Sequence, residues 1–192
     1  NEMLKKSIRI IFMIAVPLTV LFEIEARDII IILGGSEYIG AVSCMRIIMP
    51  ILLISGFSNI TGNQILIPHG LDKYYTKAVV CGAVIDVILN VLLMPRYSIY
   101  GAALATVIAE VVQMLVQSYY SRSYLKKRLD ITCMKRIVLS TLIAGIMVCM
   151  SRYIFSFHPF INILLYTLVF LGIYVVFIYA FYGKKESMKL FL

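Results

Sequence analysis

Hydrophobic residues run through this chain in long blocks broken by short polar stretches. The segment 59–110, NITGNQILIPHGLDKYYTKAVVCGAVIDVILNVLLMPRYSIYGAALATVIAE, shows the pattern most clearly. Its three apolar runs are separated by breaks at 69–77 and 95–100. Blocks of about 17–25 apolar residues suffice to cross a hydrocarbon core. The pattern predicts six such spans, at about 8–24, 41–68, 78–94, 99–120, 137–157 and 160–182. The expected fold class is an all-α integral membrane protein with six transmembrane helices.

Breakers and caps refine this picture. Pro17 lies inside the first span and should kink it, which membrane helices tolerate when a neighbour satisfies the freed carbonyl. Glu23, Glu25, Arg27 and Asp28 mark an interface, with both glutamates expected in solvent. Asp28 could cap a short interfacial helix that Gly34 and Gly35 stop, or the first span could continue to Leu33. The second span is long enough to tilt. Gly70 supplies the turn in HGLDKYYTK, where Lys73 and Lys77 carry charge and Tyr74 and Tyr75 suit headgroup level.

The polar residues inside the runs recur at helical spacing. Ser55, Ser58, Asn59, Gly62 and Asn63 fall at i, i+3, i+4, i+7 and i+8, on one helix face. Ala78, Gly82, Asp86 and Asn90 step by four along the third span. Gly101, Ala105 and Ala109 form a small-residue packing seam on the fourth, beside Thr106, Glu110, Gln113 and Gln117. Each stripe reads either as a helix contact glued by polar groups or as the wall of an aqueous cavity. An ionised Asp86 at the bilayer centre costs about 2.5–3.5 kcal/mol. It should be protonated, hydrated, or paired with Asn90 one turn away, in a buried contact or an ion-coupling role. Glu110 has Thr106 or Gln113 for a buried hydrogen bond, with gating or ion coupling as the sharper option. Arg46 could snorkel to the outer headgroups, or hold an anionic phosphate in its planar fork. The candidate substrate path is therefore Arg46, Ser55, Ser58, Asn59, Asn63, Asp86, Asn90, Thr106, Glu110 and Gln113.

Composition agrees with membrane residence. The chain is 61% hydrophobic and 15% charged, with a mean hydropathy of +0.95. The net charge of +8 sits between the apolar runs, which points to the positive-inside rule rather than to nucleic acid. One side collects Lys5, Lys6, Arg9, Lys73, Lys77, the basic linker at 121–136 (Arg122, Lys126, Lys127, Arg128, Lys135, Arg136), and Lys184, Lys185 and Lys189. The other collects Arg27, Arg96 and Arg152, so both ends are expected in the cytoplasm. Cys44, Cys81, Cys133 and Cys149 show no paired spacing and read as reduced, small apolar residues. His69 and His158 are isolated, so neither a metal nor a cofactor is expected. No nucleophile–base pair or phosphate-cradling glycine loop is visible. A membrane-embedded glycan polymerase or acyltransferase would need clustered groups in outward loops, which here offer isolated Arg96, Arg152 and His158.

Asn1 to Arg9 is polar and basic and leads directly into a span with no small-residue cleavage site, unlike a signal peptide. We expect the C-terminal piece of a longer transporter. Residues 1–120 would be part of its C-terminal lobe, 121–136 a cytoplasmic linker, and 137–192 an accessory pair of spans with a tail.

Three stretches carry a family resemblance: PLTVLFEIEARDIIIILGGSEYIGAVSCMRIIMPILL, then NQILIPHGLDKYYTKAVVCGAVIDVILNVLLMP, then YGAALATVIAEVV. Together they make the chain resemble the Wzx-type polysaccharide flippases of the multidrug/oligosaccharidyl-lipid/polysaccharide exporter superfamily. The basic linker and final pair of spans match that family's layout. The resemblance implies helices nine to fourteen of a fourteen-helix transporter in a bacterial cytoplasmic membrane. It implies a substrate such as an undecaprenyl-diphosphate-linked oligosaccharide, contact with membrane lipids, and a possible polysaccharide polymerase partner. Asp86 departs from the neutral polar residue usual there in the family. The aromatics of the last spans (Phe155, Phe157, Phe160, Tyr166, Phe170, Tyr174, Phe177, Tyr179) read as flanking a lipid route or as ordinary lipid contact. A cation-coupled exporter of small molecules and a lipid-linked peptidoglycan precursor flippase, both of the same superfamily, are the alternatives. The exporters typically stop after twelve helices, which the last two spans argue against.

Overall fold

The structure, a computed structural model, describes residues 2–125, 130–154 and 158–191, with side chains described through 181. All regular structure among these residues is helical: α1 (Glu2–Gly34), α2 (Ala41–Ile48), α3 (Ile51–Asn59), α4 (Asp72–Leu125), α5 (Ile131–Ile154) and α6 (Pro159–Phe191). A 3₁₀ turn, Ser36–Tyr38, lies between α1 and α2; a π-helical segment, Ile60–Leu66, continues α3, and a second 3₁₀ turn, Ile67–His69, follows it. Among the described residues, five helical stretches are long and apolar enough to cross a membrane: Glu2–Gly34, Ala41–His69, Asp72–Leu125, Ile131–Ile154 and Pro159–Phe181.

α1 does not stop at Ile24. It runs on to Gly34, so Asp28 lies inside the helix and does not cap a separate one. The charged residues 23–28 are compatible with a continuing helix because Glu25 and Asp28 find partners, described below. Gly35, at φ 84°, ends the element. The second expected span is segmented instead of one regular helix. Pro50 separates α2 from α3, and the π-helical turn widens the helix beyond Asn59. Gly70, left-handed at φ 69°, then closes a Schellman-type cap: its own N–H bonds Ile67 O at 3.0 Å and that of Leu71 bonds Leu66 O at 2.9 Å.

α4 contains 54 residues, and a straight helix of that length would reach about 80 Å against a hydrocarbon core of ~30 Å. It is not straight. Ser98 has φ 51° and ψ −130°, which breaks the helix just after Pro95. The two arms fold back on each other: a Cβ on Gly101 would lie 2.5 Å from Leu93 O, and one on Gly82 would lie 3.3 Å from Ala109 O. Ala78, Gly82, Gly101, Ala105 and Ala109 are buried along this hairpin. Without a hydrophobic drive between helices in lipid, small residues are what permit such close approach.

The chain packs as two compact units. The first comprises Asn1–Ile11 and Ser43–Asp130, with Ile60, Ile65, Leu66 and the alanines of the α4 hairpin in its core. The second comprises Phe12–Val42 and Ile131–Leu192. This grouping differs from the division at 120 and 137, since most of α1 packs with the last two helices. In the second unit α5 buries Cys133, Ile137, Thr141, Ala144 and Val148. α6 buries Asn162, Tyr166, Phe170, Tyr174 and Ile178, spaced by four. That spacing is one helix face, so Tyr166, Phe170 and Tyr174 belong to the core and not to a lipid-facing surface. Phe160 and Tyr179 are exposed, and Phe155 and Phe157 lie outside the described residues. The opposite faces are apolar and open, with Leu164, Leu168 and Val176 on α6 and Ile146 and Met150 on α5.

Candidate functional site

Buried polarity in the first unit centres on Gln117, whose side chain is nearly inaccessible. Its Oε1 accepts hydrogen bonds from Ser58 Oγ at 2.9 Å and Thr61 Oγ1 at 2.8 Å. Gln113, one turn earlier on α4, donates from Nε2 to Ser58 Oγ at 3.4 Å. Ser58 and Thr61 share one helix face at a spacing of three, and Gln113 and Gln117 share another at four. Gly62 completes the cluster by having no side chain. A Cβ there would sit 2.6 Å from the Tyr75 ring and 3.2 Å from Gln117 Oε1. Tyr75 is thus half-buried against the π-helical turn. Gln117 Nε2 is buried with no hydrogen-bond partner among the described residues.

Of the residues singled out in the sequence, Ser58 and Gln113 meet in this cluster. Ser55, Asn59 and Asn63, spaced by four, are exposed. The expected single face therefore divides in two, because residues 55–63 sweep too wide an arc and the π-helical turn from Ile60 resets the register. Asp86, Asn90, Thr106 and Glu110 are half-buried, and Arg46 is exposed. Asn90 Nδ2 donates to the Asp86 main-chain oxygen at 2.9 Å and not to its carboxylate. Asp86 Oδ1 is buried and lacks a hydrogen-bond partner among the described residues. Thr61 was missed, although it follows Ser58 by three. Gln117 was seen in the stripe but not among the path candidates.

The end of this unit carrying Gly70 is ringed by aromatics. Tyr74 stacks on Tyr120 at 4.2 Å, and His69 meets Tyr124 at 4.2 Å with the rings tilted by 50°. Arg122 lies 4.7 Å from the Tyr119 ring, and Lys77 Nζ donates to the Tyr120 hydroxyl at 3.4 Å. Rings with polar tips beside cations suit the membrane–water boundary.

The second unit holds a charged cluster that sequence reasoning distributed among separate loops. Arg152 Nη2 donates to Asp28 Oδ2. Its Nη1 donates to Ile24 O at 3.1 Å and lies 3.1 Å from Glu25 Oε1. Asn162 Nδ2 donates to Asp28 Oδ2 at 3.3 Å, and the guanidinium sits 5.7 Å from the Tyr166 ring. Glu25 is 1% exposed, so the expectation of a solvated glutamate is corrected. The signal was available: three ionisable residues and one asparagine at the margins of apolar runs are costly unless gathered. Close by, an apolar groove is lined by Val20, Ile24, Leu142, Gly145, Ile146 and Cys149. Among the described residues, no group of three or more His, Cys, Asp or Glu side chains is placed to hold a metal ion.

Comparison with known proteins places this architecture. No protein-family model matches the chain. An uncharacterized membrane protein of Methanocaldococcus jannaschii is 30% identical over 113 residues, covering 59% of this chain and 22% of that protein. The structure is similar to the lipid II flippase MurJ in an inward closed conformation. The likeness has a TM-score of 0.80 and 20% identity, and covers 95% of this chain and 39% of that one. The chain has the fold of part of that protein. The chain spans about a fifth of the length of the archaeal relative and two fifths of the flippase.

Proposed function

We propose that this chain forms part of a transporter that moves a lipid-linked oligosaccharide, such as an undecaprenyl-diphosphate-linked repeat unit, across a bacterial cytoplasmic membrane. The observation that carries this reading is the fold likeness to a lipid flippase over 95% of the chain. The Ser98 hairpin supports six membrane crossings, with each arm of α4 crossing once. Six crossings and the lysine and arginine distribution support a reading with both ends on the cytoplasmic side. Half-buried Asp86, Asn90, Thr106 and Glu110, with exposed Arg46, Ser55, Asn59 and Asn63, are the side chains available to a polar headgroup. The open apolar face of the second unit suits the lipid. Movement would follow alternating access of two lobes. A polysaccharide polymerase acting on the delivered repeat unit is the natural partner.

A second reading, a flippase of the lipid-linked peptidoglycan precursor, is favoured by the name of the structural neighbour. Complementation separates the two. The full-length protein is expressed in cells lacking their repeat-unit flippase and, separately, in cells depleted of their peptidoglycan-precursor flippase. Restored surface polysaccharide in the first supports the repeat-unit reading, and restored growth in the second supports the precursor reading. Drug resistance without either would select the cation-coupled exporter.

A further inference from the structure

The end of the α4 hairpin remote from Ser98 carries cations that no carboxylate answers. Lys77 precedes Ser98 by as many residues as Tyr119 follows it, 21. At a rise of 1.5 Å per residue each arm is about 30 Å long, the thickness of a hydrocarbon core. Lys77, Tyr119 and Arg122 therefore stand where headgroups begin. Each cation rests on a tyrosine. Lys77 Nζ donates to the Tyr120 hydroxyl and lies 6.0 Å from that ring, and the Arg122 guanidinium lies 4.7 Å from the Tyr119 ring. The two rings meet edge to face at 5.4 Å. These contacts hold the side chains without exhausting them. A ring contact leaves the N–H donors in the guanidinium plane free, and Lys77 keeps two further hydrogens. Among the described residues neither cation has a carboxylate within ion-pair distance. Lys73, one turn before Lys77, is exposed and adds a third charge, of which exposed Asp72 offsets one.

The surface beside the cations selects the partner. Lys77 shares a helix face with Val80 and Val84, at i+3 and i+7, and both valines are more than half exposed. Arg122 shares a face with Tyr119 and Leu115, at i−3 and i−7, and these too are more than half exposed. Each stripe runs from a cation at headgroup level to open apolar side chains toward the hairpin tip. A nucleic acid or an acidic protein would meet the charges and leave that apolar surface uncovered. A phospholipid covers both. We propose that this patch is a binding site for an anionic phospholipid, its headgroup against Tyr119 and Tyr120 within reach of Arg122 and Lys77, its acyl chains along Val80, Val84 and Leu115. A zwitterionic headgroup fits less well, because it brings a cation of its own to a surface already positive. The inference does not depend on what the transporter carries.

The test uses the full-length protein in a non-ionic detergent, titrated with phosphatidylglycerol and separately with phosphatidylcholine. Native mass spectrometry counts the lipid bound per protein. Phosphatidylglycerol should bind the more tightly. Lys77→Gln and Arg122→Gln should each weaken it about fivefold, the worth of one cation at a charged membrane surface, and leave phosphatidylcholine unchanged. Arg96→Gln, which removes the same charge beside the Ser98 turn, should change neither. All three positions are exposed, so the unfolding temperatures should match the parent. A second readout needs no variant: phosphatidylglycerol should shield Lys77 from an amine-acetylating reagent, and phosphatidylcholine should not. Equal affinity for the two lipids overturns the proposal, as does a Lys77 that stays unshielded. A loss with Arg96→Gln as large as with Arg122→Gln overturns it too, since net charge would then account for the binding. Displacement of the lipid by an acidic peptide or by inorganic phosphate overturns the phospholipid in favour of that anion.

Discussion

Tyr174 donates its hydroxyl to the main-chain oxygen of Met13 at 2.8 Å. That carbonyl is the one a proline at position 17 deprives of its donor, because Pro17 has no N–H to complete the i→i−4 bond. The buried tyrosine on α6 thus repairs the defect that Pro17 makes in α1. We predict that Tyr174→Phe lowers unfolding stability in lipid micelles by about 0.6–1.7 kcal/mol, the range for interhelical hydrogen bonds in membranes. The cycle with Pro17→Ala is the sharper check. Restoring the backbone bond should make Tyr174→Phe nearly silent, giving a clear coupling energy between the two sites. Equal costs in both backgrounds would mean that Tyr174 acts through packing alone.

The α4 hairpin depends on two small residues at its tip. Ser98 adopts a positive φ that costs a non-glycine residue about 1–3 kcal/mol. Ser98→Gly should therefore stabilise the protein by roughly 1 kcal/mol. Gly101 works the other way. A Cβ there meets main-chain atoms of Leu93 at 2.5 and 2.6 Å, and backbone cannot rotate aside. Gly101→Ala should destabilise by about 1–3 kcal/mol, as overpacking does. Chemical denaturation of the reconstituted variants reads both, and the opposite order would show that the hairpin turns elsewhere.

The helical fold was legible in the sequence because lipid demands it: apolar length and the positions of lysine and arginine carry most of the information. Pro17 even announced that a neighbour had to satisfy a carbonyl, though not that Tyr174 would. What the sequence hid has particular causes. Residues 55–63 sweep an arc wider than one buried face, so Ser55 and Asn59 part from Ser58 within α3, and the π-helical turn from Ile60, invisible to a period of 3.6, shifts Asn63. Asp28 and Arg152 are 124 residues apart, and periodicity along one helix says nothing about a partner on another. The aromatics of α6 were judged by type when their spacing from Asn162 to Ile178 already described a buried face.

Gln117 ties α3 and the π-helical turn to α4 through two hydroxyl donors on one oxygen. Gln117→Leu leaves the Ser58 hydroxyl buried without its acceptor and takes one of Thr61's acceptors away. It should cost about 1–3 kcal/mol, the penalty of orphaned buried donors. Ser58→Ala alone should cost less, because Thr61 still fills Oε1. Thr61 Oγ1 also lies 3.0 Å from Ser58 O, an acceptor it retains in either variant. Measuring the two single changes and the Ser58→Ala/Gln117→Leu pair tests the arrangement. Additive costs for the pair would exclude a shared network.

Arg152 is the centre of the charged cluster, and its removal should be the most damaging single change in the second unit. Arg152→Met leaves Asp28 with Asn162 as its only observed donor among the described residues. Removing one member of a buried ion pair costs about 3–5 kcal/mol, and the guanidinium's partial exposure, 22% of its side chain, places the effect toward the lower end. The double variant Arg152→Met/Asp28→Asn takes both charges away. It should recover most of the loss, since neutral partners of similar volume carry no unpaired charge. Arg152→Lys should recover little. A single ammonium cannot reach Asp28, Ile24 O and the face of Tyr166 together in the geometry that the planar fork provides. Unfolding midpoints of these variants in the same lipid decide the matter. A lysine variant as stable as the parent would reduce the arginine's role to charge alone, and an unrecovered double variant would show that the helices need its bulk.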